Sequence, residues 1–203
     1  MTKLDISKTG SLDSIIDKYK TLLILLNLMM LKGQIVFVDF KKAFDSLEWI
    51  FILTTLKHFG FNEPFLIWVK TLYSNIQTCV MNNGWISEIL KNPRGKRQGF
   101  PLSALLFVLS VEIMALRIRN NKDIKGFQIK IDEQTHSIKI SQLTDDTTLY
   151  FNSKNDISVA MNEIEIFGTF SGLMINRNKT EGLWIGKLRH SKDKVDNIKW
   201  TSP

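Results

Sequence analysis

Apolar positions along the chain follow three kinds of spacing, and each predicts a different element. Residues 15–31 culminate in the apolar run LLILLNLMML at 22–31 and predict a buried helix that stops at Lys32-Gly33 with Gly33 as its C-terminal cap. Gln34 to Phe40, QIVFVDF, then changes to continuous β-branched and aromatic sequence, the pattern of a strand buried on both faces, yet it sets Asp39 among hydrophobes. A carboxylate in such a place needs a partner or a metal.

Helical spacing returns with a helix from about Ser46 to Phe59 capped by Gly60, and with a second begun by Asn62-Glu63-Pro64 and running to about Tyr73. Ile76 to Leu90 reads as a hairpin turning at Asn82-Asn83-Gly84, a type I′ signal. Leu102 to Asn120 is helical and strongly apolar at its start, Phe127 to Ile131 is a strand, and Asp132-Glu133 a turn. Ile138, Ile140, Gln142 and Thr144 keep a period of two, after which Thr147 to Phe151 resumes the strand pattern. This predicts a hairpin with Asp145 and Asp146 at its tip. Asp156 is the expected cap of a helix that runs to Ser171 and ends at Gly172. Residues 187–203 are basic and polar, with an isolated Trp200.

These elements predict a single α+β unit, a mostly antiparallel sheet with helices packed on one face. With 203 residues, 44% of them hydrophobic, the chain can bury a real core. The run at 22–31 is ten residues, well short of the ~20 a bilayer span requires, and it is not followed by a small-residue cleavage site. The expectation is therefore an intracellular protein of nucleus or cytoplasm, neither secreted nor transmembrane. Cys79 is the only cysteine, so there is no disulfide partner, and with three scattered histidines (His58, His136, His190) a Cys/His zinc site is not expected. Cys79 reads as a core residue. A net charge of +7 suits a polyanionic partner, though ordinary solubilising charge would give the same number.

The candidate chemistry sits on three short stretches. KNPRGKRQGFPLS (91–103) concentrates Lys91, Arg94, Lys96 and Arg97 with Gly95 and Gly99 ahead of a helix start, where backbone amides and the helix dipole favour an anion. The other two are Asp39 and the pair Asp145-Asp146. Aspartates at a turn also serve the backbone, so the pair alone does not decide. Should the sheet bring Asp39 beside it, three hard oxygen donors would converge, a set that favours Mg²⁺ and, with two ions about 4 Å apart, displacement at phosphorus.

The ordered series FVDFKKAFDSLEW (37–49), RGKRQGFPLS (94–103), SQLTDDTTLYF (141–151), FGTFSGLMINRNKT (167–180) and LWIG (183–186) resembles the reverse transcriptases of LINE-type non-LTR retrotransposons. The resemblance implies a right-hand polymerase palm at 33–186, partial fingers at 1–32, and a tail at 187–203 that begins an otherwise absent thumb. It implies an RNA-directed DNA polymerase that joins dNTPs to a DNA primer on an RNA template with two Mg²⁺ ions, for which Mn²⁺ can substitute. Asp39 and Asp145 would hold the metals with Asp146 assisting, and Lys179 would protonate the leaving pyrophosphate. Phe44 matches the steric gate beneath the sugar, and Arg97, Gln98 and Gly99 the loop against the incoming nucleotide. Leu183 to Gly186 matches the primer-grip hairpin, with Trp184 and Gly186 at the primer and Lys91, Arg94 and Lys96 on nucleic acid. The chain departs from the family before the aspartates, where Leu143-Thr144 replaces an aromatic followed by Ala. Phe100 stands for a common Cys and Ala104 for a common Pro. The rival readings are a degenerate fragment that keeps the fold without polymerising and a two-metal nuclease.

Overall fold

The computed structural model describes residues 32–74, 77–91, 101–131 and 134–201. The helix expected at 15–31, the turn at Asp132-Glu133, and Arg94, Lys96, Arg97, Gln98 and Gly99 of the cationic loop lie outside the described residues. Those within Met1–Asp39, Ile118–Asn162 and Ile175–Pro203 make one compact unit, and those within Phe40–Arg117 and Glu163–Met174 another.

The first unit is built on a five-stranded sheet. Strand β1 (Lys32–Val38) lies at its centre, and both faces of it are buried from Gly33 onward, as continuous apolar sequence requires. Gly33 is therefore a strand residue and not a helix cap. A Cβ there would stand 1.9 Å from the Phe127 ring and 2.8 Å from the Phe151 carbonyl, so the position is held by close approach.

The chain returns to this sheet three times. β8 (Ile140–Leu143) and β9 (Asp146–Phe151) form a hairpin, β9 pairs antiparallel with β1, and β10 (Glu181–Gly186) pairs antiparallel with the other edge of β1. Strand β11 (Lys199–Thr201) then adds parallel to β10, giving the order β11-β10-β1-β9-β8. The supposed tail is thus part of the sheet. Trp200 seats against Gly182, where a Cβ would meet its ring at 2.5 Å, and lies 4.4 Å from Trp184 at 31° between planes. A separate two-stranded ladder pairs β6 (Phe127–Ile131) with β7 (Gln134–Ile138). Ile138 consequently belongs to β7 and not to the aspartate hairpin.

In the second unit the expected helix at 46–59 is divided. α1 (Ala43–Ser46) and α2 (Trp49–His58) are separated by Leu47 and Glu48 in extended conformation, and the Glu48 N–H donates to the Ser171 carbonyl at 2.8 Å. Gly60 follows α2 with φ 84°, as a C-terminal cap should. α3 (Glu63–Tyr73) starts as predicted, the Asn62 side chain accepting from the Phe65 N–H with Pro64 in the first turn. β2 (Gln77–Thr78) pairs with β5 (Leu90–Lys91), and β3 (Met81–Asn82) with β4 (Trp85–Ile86). Cys79, expected in the core, is exposed on this arm. Leu106, Phe107, Val111 and Met114 of α4 (Pro101–Asn120) join Ile52, Leu56 and Val69 in the unit's buried residues.

α5 (Lys154–Ser171) ends at Gly172, whose φ is 79°. Its cap is Ser153, which accepts from the Asn155 N–H at 3.1 Å, rather than Asp156. Asp156 sits in the first turn, is buried, and accepts the Lys125 N–H through Oδ2 at 3.0 Å. No helix among the described residues is long and apolar enough to cross a membrane.

Candidate active site

Asp39 follows the last residue of β1, and the registers Val38↔Thr147 and Leu143↔Asp146 carry the aspartate hairpin to the same end of the sheet. The long sequence separation of Asp39 and Asp145 is thereby bridged by backbone pairing. The tip is shifted by one residue from expectation: Leu143 pairs with Asp146, so the two-residue loop is Thr144-Asp145 and Asp146 already belongs to β9. Thr144 takes φ 59°, a left-handed conformation that is a genuine outlier for a β-branched residue.

Asp145 is exposed at this tip, but the backbone and side chains around it remove part of its water. Its carboxyl is raised from the ordinary carboxylate value, first by that desolvation and then by the negative charges of Asp146 and Asp39, while its own backbone N–H works the other way. Asp39 and Asp146 are therefore close enough to be felt at Asp145. They do not, however, form a ready ligand cage, since among the described residues no three His, Cys, Asp or Glu side chains are grouped to hold a metal ion. The Asp39 carboxylate is also engaged elsewhere. Expected convergence at ligation distance is thus corrected to convergence at electrostatic distance. The donor chemistry still fits a hard cation, because the neighbouring carboxylate charges that raise the proton affinity of Asp145 would be offset by positive charge among them.

The engagement of Asp39 was not foreseen. Asn176 Nδ2 donates to Asp39 Oδ2 at 2.8 Å, the Asn176 N–H donates to the Asp39 carbonyl at 2.8 Å, and the Asp39 N–H donates to Thr180 Oγ1 at 3.2 Å. Both residues fall within the stretch GLMINRNKT, where only Lys179 had been singled out. Thr180 is fully buried, a placement that a buried hydroxyl tolerates only with partners. Lys179 is exposed in the turn just before β10, its N–H donating to the Asn176 carbonyl at 3.0 Å.

The remaining sequence candidates are placed as follows. Phe44 is half-buried in α1 and stacks on Phe107 with ring centroids 4.6 Å apart. Lys91 lies in β5, paired with Gln77. Leu183 to Gly186 is no hairpin: β10 is an inner strand between β1 and β11. Trp184 is 1% exposed, with its ring in the core and Lys154 Nζ 5.8 Å from its centroid. Gly186 ends the strand with φ 59°, opposite Lys32.

A family model described as reverse transcriptase (RNA-dependent DNA polymerase) matches residues 14–201. Curated relatives include the transposon TX1 uncharacterized 149 kDa protein of Xenopus laevis, 30% identical over 152 residues, 75% of this chain and 11% of that one. The Pol polyprotein from type-2 retrotransposable element R2DM of Drosophila melanogaster is 29% identical over 143 residues, 70% of this chain and 13% of its own length. This chain thus spans about an eighth of such relatives. Among solved structures, apo telomerase from Candida tropicalis aligns with TM-score 0.57 and 16% identity, covering 92% of this chain and 37% of that one. Telomerase from Candida albicans, in complex with a fragment of telomeric RNA, aligns with TM-score 0.54 and 16% identity over 84% and 30% of the two chains. The right-hand α+β architecture inferred from sequence is consistent with these folds. By the family match and by its relatives, the chain belongs to the reverse transcriptase (RNA-dependent DNA polymerase) family, as a domain of the LINE-type retrotransposon kind.

Proposed function

We infer that this domain is the palm of an RNA-directed DNA polymerase that adds dNTPs to a primer 3′-hydroxyl paired to an RNA template. The observation that carries the reading is the sheet register that ends Asp39 and the Thr144-Asp145 tip side by side, with the charge of Asp39 felt at Asp145. Asp39 and Asp145 would hold the metal, with Asp146 beside them, and Mg²⁺ would supply charge for the developing phosphoryl oxygens. The protein's own part is to fix the carboxylates before substrate arrives. Asp39 is already fixed, while Asp145 rides on a tight two-residue turn. Lys179, exposed on a turn tied to the same residues as Asp39, is the group suited to give a proton to departing pyrophosphate. Phe44 is the candidate for excluding a ribose hydroxyl, and Arg97, Gln98 and Gly99 for the incoming nucleotide, with Lys91, Arg94 and Lys96 on nucleic acid.

The test is extension of a DNA primer on an RNA template by the full-length protein in Mg²⁺. Asp145→Asn is expected to lower incorporation by about three orders of magnitude, the scale of several kcal/mol that a metal-borne charge supplies. A second reading is favoured by Thr144, whose left-handed backbone beside Asp145 stands where the family carries Ala. In it the domain keeps the fold and binds template without polymerising. Binding without incorporation in both wild type and variant would establish that reading, and primer degradation would point to a nuclease instead.

A further inference from the structure

We propose that Asn176 is a positioning residue that locks the Asp39 carboxylate and ties it to the turn bearing Lys179, so that metal ligand and proton donor move as one piece. The inference rests on the polymerase reading of Asp39.

Asn176 makes contact with Asp39 twice, through its side-chain amide to Oδ2 and through its backbone N–H to the carbonyl, both at 2.8 Å. Two bonds from one residue to one residue fix both the backbone exit of β1 and the carboxylate rotamer. A third bond closes the ring: Thr180 Oγ1 accepts the Asp39 N–H and donates to the Asn176 carbonyl at 3.0 Å. That same carbonyl accepts the N–H groups of Lys179 at 3.0 Å and Thr180 at 2.9 Å, and so organises the turn that presents Lys179. Asp39 and Asn176 are 137 residues apart, so this arrangement is specified by tertiary structure and not by local turn chemistry.

The chemistry of the amide matters. A neutral donor orients a carboxylate without neutralising it, whereas a lysine or arginine here would compete with the cation for the same charge. Committing Oδ2 to Asn176 also removes the rotational freedom that would let Asp39 swing away, a cost otherwise met each time a cation binds.

The experiment is a Mn²⁺ titration of the full-length protein followed by electron paramagnetic resonance, with primer extension and thermal melting run on the same samples. Asp39→Asn is the reference variant and must weaken Mn²⁺ binding; unchanged binding would overturn the carboxylate site itself, and this inference with it. Asn176→Ala is expected to weaken Mn²⁺ affinity about 10-fold or more, the range seen when an orienting partner of a ligand is removed. Unchanged Mn²⁺ affinity in folded Asn176→Ala would overturn the inference, even with a lowered melting temperature, because that is what a merely structural residue gives. Should Asn176→Ala not fold, Thr180→Val and Thr180→Ser decide: weaker Mn²⁺ binding in Val restored by Ser supports the clamp, and equal affinity in the two overturns it.

Discussion

The β3-β4 and β8-β9 hairpins both close with two-residue turns, and they are made in opposite ways. The turn between β3 and β4 uses Asn83 at φ 48° and Gly84 at φ 85°, residues chosen for left-handed backbone, and its strands stay wet, with Met81 73% and Trp85 83% exposed. The turn between β8 and β9 puts Thr144 at φ 59°, yet β9 is buried from Thr147 to Phe151 and paired along both edges. The first hairpin is held by its turn. The second is held by its sheet, which forces a conformation that the turn residue disfavours, a mark of functional sites.

The largest contrast should appear on removing a strand side chain. Leu149→Ala in β9 is expected to cost ~2–5 kcal/mol by urea denaturation, because Leu149 is fully buried, whereas Trp85→Ala in β4 should stay within about 0.5 kcal/mol. Comparable losses from both would dissolve the comparison. Turn substitutions come next and should have opposite signs. Gly84→Ala is expected to destabilise by ~1–2 kcal/mol, since a Cβ is disfavoured at φ 85° although the space is open. Thr144→Gly should stabilise by about 1 kcal/mol, the relief of strain less the entropy of a freer unfolded chain, seen as a higher melting temperature. A loss of stability in Thr144→Gly would mean that the threonine is not strained.

The smallest effect concerns charge. Because the Asp145 pKa is raised on folding, ionisation there opposes folding: the penalty appears as pH rises through the raised value and is absent below the ordinary carboxylate range. Asp145→Asn should therefore be slightly more stable than wild type near neutral pH, by a fraction of a kcal/mol given the exposure of the side chain, and the gap should close in acid. Added Mg²⁺ should reverse the order by stabilising only the wild type. Melting curves across pH, with and without the ion, read both effects.

What the sequence disclosed follows the reach of the interactions. β1, α3 and the Asn83-Gly84 turn are fixed by neighbours within a few residues, so QIVFV, Asn62-Glu63-Pro64 and NNG reveal them. The break at Leu47-Glu48 depends on a bond to the Ser171 carbonyl, and the role of Gly33 on the Phe127 ring, neither visible from local pattern. Asp156 looks like a cap because caps and buried acceptors share a residue type; only the Lys125 N–H tells them apart. In the site, Asp39 and Asp145 stood out as carboxylates among apolar residues. Asn176 did not, being an ordinary turn residue in sequence, and its signal was available only in its place within a stretch already matched for Lys179. The burial of Trp184 is not legible in its own stretch, because an aromatic in an apolar strand reads alike whether it faces core or ligand, and the neighbour that packs on it, Trp200, arrives from a segment that reads as a tail.

That last contact gives the domain an optical property. Two indoles at 4.4 Å with 31° between their planes couple their electronic transitions, and the coupling exists only while β11 is docked over Gly182. Circular dichroism of the indole bands is thus a native readout of whether the sheet is closed at that edge, and a side chain as small as a methyl at Gly182 would switch it off.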